Sequence, residues 1–244
     1  MPSIAELRAE TQPDWLLARP NAEHWAGRLY MRKLSPFVTR LVVSTPISAN
    51  AVTAAMIPAG ILAGLALTIT SLWGAIAAAL LIQLQLLLDC VDGEVARWRK
   101  TFSPLGIYLD QLGHYAAEAA IPAGLGVRAD GGFHSLGGWT ALGLLTSVLV
   151  LFLKAETHLI PYALRKGGRA EPAEEETAAA PRLLPSIRPH HAIEASLLVL
   201  VAAIVDSAAG GLTWTRALSV ALALYLGVSV VGHLGAILVS RRLK

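Results

Sequence analysis

Residues 89–115, DCVDGEVARWRKTFSPLGIYLDQLGHY, set Asp89, Asp92, Asp110 and His114 at the margins of two very apolar stretches. At about 100° per residue, Asp89, Asp92, Gly93 and Ala96 fall on one face of a helix, with Arg97 at its edge. Downstream, Gly106, Asp110, His114 and Glu118 recur every four residues and form a slowly drifting column on a second helix. Two such helices, run antiparallel, aim three aspartates and an imidazole into one space.

Unpaired carboxylates beside hydrocarbon are costly and repel one another, and a divalent cation relieves both problems. Aspartate oxygens suit Mg2+ or Mn2+, ions that commonly engage substrate phosphates as well. The small residues Gly93, Ala96 and Gly106 leave room for a bulky ligand, and Arg97 supplies a fixed cation for a phosphate or carboxylate. The pattern therefore points to chemistry on a phosphorylated substrate at a membrane surface. Glycines on helix faces also serve close helix packing, and intramembrane acids also serve cation or proton passage in transporters, so both of those roles stand beside the first.

These residues must be held by membrane helices. Of the 244 residues 55% are hydrophobic, only 15% are charged, and mean hydropathy is +0.56, too apolar for an ordinary soluble domain. A span needs roughly 20 mainly apolar residues, and six segments are predicted to cross: about 51–70, 74–96, 104–127, 136–156, 191–209 and 213–239. The run from Ala75 to Leu88 is interrupted only by Gln83 and Gln85, so Asp89 lies at one end of the second span. Ser103-Pro104 reads as an N-cap followed by a first-turn proline, opening the third. Segment 22–43 mixes Trp25, Leu29, Tyr30, Leu34 and Phe37 with Arg28, Arg32, Lys33 and Arg40, the pattern of a helix lying in the interface. The expected fold class is an all-α polytopic membrane protein, six transmembrane helices plus an N-terminal interfacial amphipathic helix, forming a single domain over 1–244 with its bundle at 51–239.

Loop charge sets the expected orientation. The N-terminal region, the RWRK turn at 97–100, the 165–188 loop and the RRLK tail are basic, whereas ITSLWG, RADGGFHSLGG and DSAAGGLTWT carry few charges. Lysine and arginine gather on the cytoplasmic side, so both termini and the acid cluster are predicted to face the cytoplasm of a multi-pass cell-membrane protein. Residues 167–188, rich in Ala, Glu, Pro and Gly, are expected to form a flexible cytoplasmic loop. The net charge of +3, with basic residues beside the spans, suits membrane lipid and implies no nucleic-acid partner. The single cysteine, Cys90, permits no internal disulfide and suits a small packing residue beside Asp89. No basic region followed by an apolar core opens the chain, so no cleaved signal peptide is expected.

Asp89-x2-Asp92-Gly93-x2-Ala96-Arg97-x8-Gly106-x3-Asp110-x3-His114 resembles the D-x2-D-G-x2-A-R-x8-G-x3-D-x3-D motif of the CDP-alcohol phosphotransferases, also called the CDP-alcohol phosphatidyltransferase family. Every spacing is kept and only the last position differs. The resemblance implies a six-helix membrane bundle in which a CDP-linked donor, commonly CDP-diacylglycerol, is attacked at phosphorus by an acceptor alcohol, giving a phosphodiester and CMP in phospholipid or related synthesis. It implies that Asp89, Asp92 and Asp110 hold one or two Mg2+ or Mn2+ ions, that Asp92, Gly93, Ala96, Arg97 and Gly106 line the CDP site, and that the protein forms a homodimer. PISANAVT at 46–53 is similar to the family's entry to its first membrane helix, where Asn50 and Thr53 would either cap the helix or face the nucleotide.

The departure is His114, which stands where the family has the aspartate proposed as general base and metal ligand. Imidazole can do both jobs near neutral pH with altered metal preference, and Glu118, one turn on, can orient the ring. The loss of one negative charge could instead weaken the metal site and leave a protein that only binds, or His114 could simply pack. The remaining polar groups, namely Lys154, Glu156 and His158, then His190, His191 and Glu194, are read as solvated helix ends or contacts to acceptor and headgroups, and His233 as a bond across helices.

Overall fold

The computed structural model describes residues 1–13, 27–168 and 192–239, with only the backbone described for 27–28 and 192–195. Within these residues the chain forms α-helices and no strand. They are α1 (Ile4–Thr11), α2 (Arg32–Val43, entered through a π turn at Gly27–Met31), α3 (Ala49–Leu67), α4 (Leu72–Arg99), α5 (Pro104–Asp130), α6 (Gly138–Lys166), α7 (Ala192–Ala209) and α8 (Thr213–Val239). Residues 22–26 of the expected interfacial helix, 169–188 of the expected loop, His190, His191 and the RRLK tail lie outside the described residues, as does the Glu194 side chain.

The protein is an all-α membrane protein. By length and composition α3, α4, α6 and α8 can each cross a bilayer. Helix α5 is long enough but carries Asp110, Glu118, Arg128 and Asp130, and the apolar stretch described in α7, Ser196–Ala209, is shorter. Large apolar side chains such as Leu144, Val148 and Phe152 on α6 and Leu224, Val228 and Val231 on α8 are exposed, as suits lipid-facing surfaces.

Helix α3 is the centre of the arrangement. Both α4 and α5 pack along α3 rather than along each other, α6 packs on α5, α8 on α6, and α7 joins α4 to α8. Glycines set the closeness of α3 and α5. A Cβ added at Gly124 would lie 2.0 Å from the Gly64 carbonyl oxygen, one at Gly64 2.4 Å from that of Ala120, and one at Gly60 2.4 Å from Ala117 Cβ. Gly124→Val is accordingly expected to force the helices apart, at about 1–3 kcal/mol for an overpacked contact. The check is thermal unfolding in detergent, where an unchanged Tm would contradict the close crossing. Met31, Leu67, Ile82, Leu86, Cys90, Ile121 and Leu125 fill the core beside this crossing, so Cys90 is a packing residue as expected.

Helix starts follow local chemistry. Ser48, Ser71 and Ser103 cap α3, α4 and α5, each accepting from the backbone N–H three residues on, and Pro104 occupies the first turn as predicted. Two acids at the opposite end of the bundle cap later helices: Asp130 accepts from Gly137 N, Thr140 N and Thr140 Oγ1, and Asp206 from Trp214 N and Thr215 N. Helix α1 carries a reciprocal Ser3–Glu6 capping box. The Ser3 backbone N–H and hydroxyl bonds hold the Glu6 carboxyl below its ordinary range.

Two boundaries differ from the sequence reading. RWRK is not a turn: α4 continues through Arg99, and Lys100 ends it in the left-handed region at φ 54°. Arg99 extends the helix because its guanidinium bonds the Val42 carbonyl at the end of α2 and the Thr45 and Ile47 carbonyls beyond it, and cations suit a helix C-terminus. Likewise α6 does not end near 156 but runs to Lys166, so Lys154 and Glu156 are internal helix residues, not solvated ends.

Candidate active site

Helices α4 and α5 are joined by the short Lys100–Ser103 connection, and both pack on α3 rather than along each other, which leaves an interval between their facing sides. Asp89 on α4 faces Asp110 and His114 on α5 across it. His114 Nε2 lies 3.2 Å from Asp89 Oδ1 and 3.5 Å from Asp110 Oδ1. Ligand atoms of the three residues all fall within 4.8 Å of one another. Their side chains are 33%, 32% and 25% exposed, so the site is open enough for a ligand to reach it.

Asp92 stands one turn along α4, almost buried against α3, where Thr53 Oγ1 donates to its Oδ2 at 2.6 Å. A hydrogen bond to a charged acceptor contributes about 1.5–3 kcal/mol and fixes the carboxylate's rotamer. Asn50 and Ser103 exchange hydrogen bonds at 3.0 and 3.2 Å, and Ser103 Oγ in turn accepts from Gly106 N at 3.0 Å. A Cβ at Gly106 would stand 2.8 Å from Asn50 Oδ1, so a larger residue there would push the Asn50 side chain from this approach. Neither Asn50 nor Thr53 caps α3, which is the work of Ser48. Both tie the start of α3 to the helices that flank the site.

Arg97 leans back along α4, with both terminal guanidinium nitrogens 3.2 Å from where a Gly93 Cβ would be. Its Nε donates to the Thr11 carbonyl at 2.6 Å. Ala96, on the same helix face, packs against the Ala49, Val52, Val91 and Val95 cluster. Glu94, absent from the sequence reading, is fully buried and accepts from Gln12 Nε2 at 2.7 Å, Thr39 Oγ1 at 2.6 Å and Ser35 Oγ.

On α5, His114 Nδ1 lies 3.8 Å from Glu118 Oε1, and Lys154 Nζ of α6 meets the same oxygen at 2.9 Å. Lys154 also sits 5.5 Å from the Tyr115 ring centroid, and the Tyr115 hydroxyl lies 2.6 Å from His158 Nδ1. Lys154 and His158 thus form part of a polar cluster continuous with the acid site. Farther along, His233 of α8 bonds Glu156 of α6 at 3.0 Å, the cross-helix contact expected of it.

The donor set fits a small divalent cation. His114 Nε2 stands 3.2 and 3.5 Å from its two carboxylate partners, inside the ~4.2 Å span that two ~2.1 Å metal–ligand bonds allow. The nitrogen donor shifts preference away from an all-oxygen Mg2+ site toward ions that accept imidazole. Of the sequence-nominated residues, the structure joins Asp89, Asp110, His114 and Glu118 directly and holds Asp92 against α3 through Thr53, while Arg97 folds over Gly93, Ala96 packs against the Val91 and Val95 cluster, and Gly106 packs against Asn50. Missing from the sequence reading were Glu94 and helix α1. The Ser3-x-x-Glu6 capping box would have revealed the helix, whereas nothing in the sequence pairs Thr11 with Arg97.

The family model described as CDP-alcohol phosphatidyltransferase matches residues 46–239, most of the chain, and the chain belongs to that family. No curated protein matches the chain. Members of the family transfer a phosphate-linked group from a CDP-alcohol to an acceptor alcohol and are generally dependent on a divalent metal.

Proposed function

We propose, from membership in the CDP-alcohol phosphatidyltransferase family, that this protein moves a phosphatidyl group from CDP-diacylglycerol to an acceptor alcohol, releasing CMP, in phospholipid biosynthesis. The observation that carries the reading is the convergence of Asp89, Asp110 and His114 in the open space between α4 and α5. Asp89, Asp92, Asp110 and His114 would hold Mg2+ or Mn2+, which when bound neutralises charge developing on the diphosphate. The Arg97 guanidinium, over Gly93, pairs with a donor phosphate, and Ala96 and Gly106 take the family's nucleotide-side positions on the two flanking helices.

In the reaction the acceptor oxygen forms a bond to the phosphorus bearing the diacylglycerol, the phosphorus–oxygen bond to CMP breaks, and the hydroxyl proton must leave. Asp110, and His114 where its Nε2 is not given to the metal, are the groups placed to take it. Glu118 faces His114 Nδ1 and can hold that nitrogen protonated, which turns Nε2 as a lone pair toward the site. Lys154 fixes the Glu118 carboxylate in turn.

The whole chain is a single membrane domain of six spans, a homodimer in the cell membrane. The site opens to the cytoplasm, where CMP leaves, and the basic segments at both termini lie on the same side.

The test is CMP release by the purified protein supplied with CDP-diacylglycerol, Mg2+ or Mn2+, and a panel of acceptor alcohols. Metal-dependent release that requires one acceptor is expected. Tight CDP binding with no release on any acceptor would mean a binding protein disarmed at His114.

A further inference from the structure

The family match begins at residue 46, and helix α1 lies ahead of it. Nonetheless α1 docks on the helix that carries the acid motif. Leu7 and Thr11 are fully buried there. Thr11 is the last residue of α1, so its carbonyl carries the negative end of the helix dipole, and Arg97 Nε donates to it at 2.6 Å. The next residue, Gln12, bonds both the Arg32 carbonyl at 2.9 Å and Glu94 at 2.7 Å. Glu94 lies three residues before Arg97 and is held from α2 by Ser35 and Thr39. Arg8 Nη2 bonds the Lys33 carbonyl at 3.3 Å, closing α1 onto the start of α2.

A guanidinium has one Nε–H and a fork of four terminal N–H donors. With Nε engaged by Thr11, the fork is directed over Gly93, on the face of α4 that carries Asp89 and Asp92. An arginine free to sample its rotamers loses that freedom each time it grips an anion, whereas one already tethered does not.

We infer that α1 is a positioning element of the active site: its C-terminal carbonyl, at Thr11, holds Arg97 so that the terminal guanidinium nitrogens are preset for the diphosphate of a CDP-linked ligand. This rests on the proposed nucleotide role of Arg97. Residues 1–13 thereby contribute to donor affinity without touching the reacting atoms.

The probe is CDP with Mn2+, titrated calorimetrically into the full-length protein, a variant lacking residues 2–13, Leu7→Glu (which undocks α1 without shortening the chain), Arg97→Lys, and each α1 change combined with Arg97→Lys. Undocking α1 is expected to weaken CDP binding about five- to tenfold, the effect of freeing one long side chain. Lysine keeps the charge but lacks the Nε–H, so in the Arg97→Lys background undocking should cost nothing further. Elution profile and Tm establish that each variant is folded, and Leu7→Glu stands in if the deletion does not fold. Unchanged affinity in a folded, undocked variant overturns the inference. So does an equal loss in both backgrounds, which would mean that α1 acts through the fold and not through Arg97. If the intact protein binds no CDP, it is the nucleotide reading itself that fails.

Discussion

Asp110→Asn is expected to lower metal-dependent CMP release by about three orders of magnitude, because removing one carboxylate charge from a metal cradle forfeits several kcal/mol of transition-state stabilisation. The amide is nearly isosteric, and Asp110 is about one-third exposed, with side-chain partners at Gln111 and His114. Folding should therefore survive and separate the chemical effect from a structural one. Mn2+ binding, followed by the disappearance of the free-ion electron paramagnetic resonance signal, should weaken in parallel. Retention of both activity and Mn2+ affinity would remove Asp110 from the site and with it the proposed metal cradle.

His114 decides whether this chain is a working variant or a silent one. His114→Ala is expected to lose about 10²–10⁴ in CMP release, the range that a positioned general base contributes. His114→Asp should restore activity to within about tenfold of the parent while shifting preference from Mn2+ toward Mg2+, since it replaces nitrogen with the harder oxygen donor. The reason lies in the ring's surroundings. Between Asp89 and Asp110, Nε2 either donates to their oxygens or, with a cation between them, shares that cation as a ligand. An aspartate there can do only the second. Full activity in His114→Ala would make the histidine a packing residue. Activity that appears only in His114→Asp would mean that the parent site is disarmed.

Much of this was legible because the relevant physics is local. Helical period alone places Asp89, Asp92 and Gly93 on one face and Asp110, His114 and Glu118 in one column, and the structure keeps both sets. Ser103-Pro104 marked the start of α5 through its own capping hydrogen bond. Boundaries were lost where distant carbonyls intervened. RWRK reads as a basic turn, yet Arg99 continues α4 by reaching carbonyls at 42, 45 and 47. In the same way Lys154 and Glu156 look like the solvated end of a span until Glu118 and His233 supply their partners.

The sequence by itself determined that this is a helical membrane protein with a spaced set of acids beside small residues, since hydropathy, period and capping depend on near neighbours along the chain. Only the tertiary structure decided which helix the two that bear the acids both pack on. Helix α3 takes that place because Gly60 and Gly64 let it sink against α5, while Thr53 on α3 reaches across to Asp92 of α4. Only the tertiary structure, too, brought α1 to Arg97. That contact joins a backbone carbonyl to a side chain 86 residues away, and a carbonyl has no side-chain identity for a sequence to display.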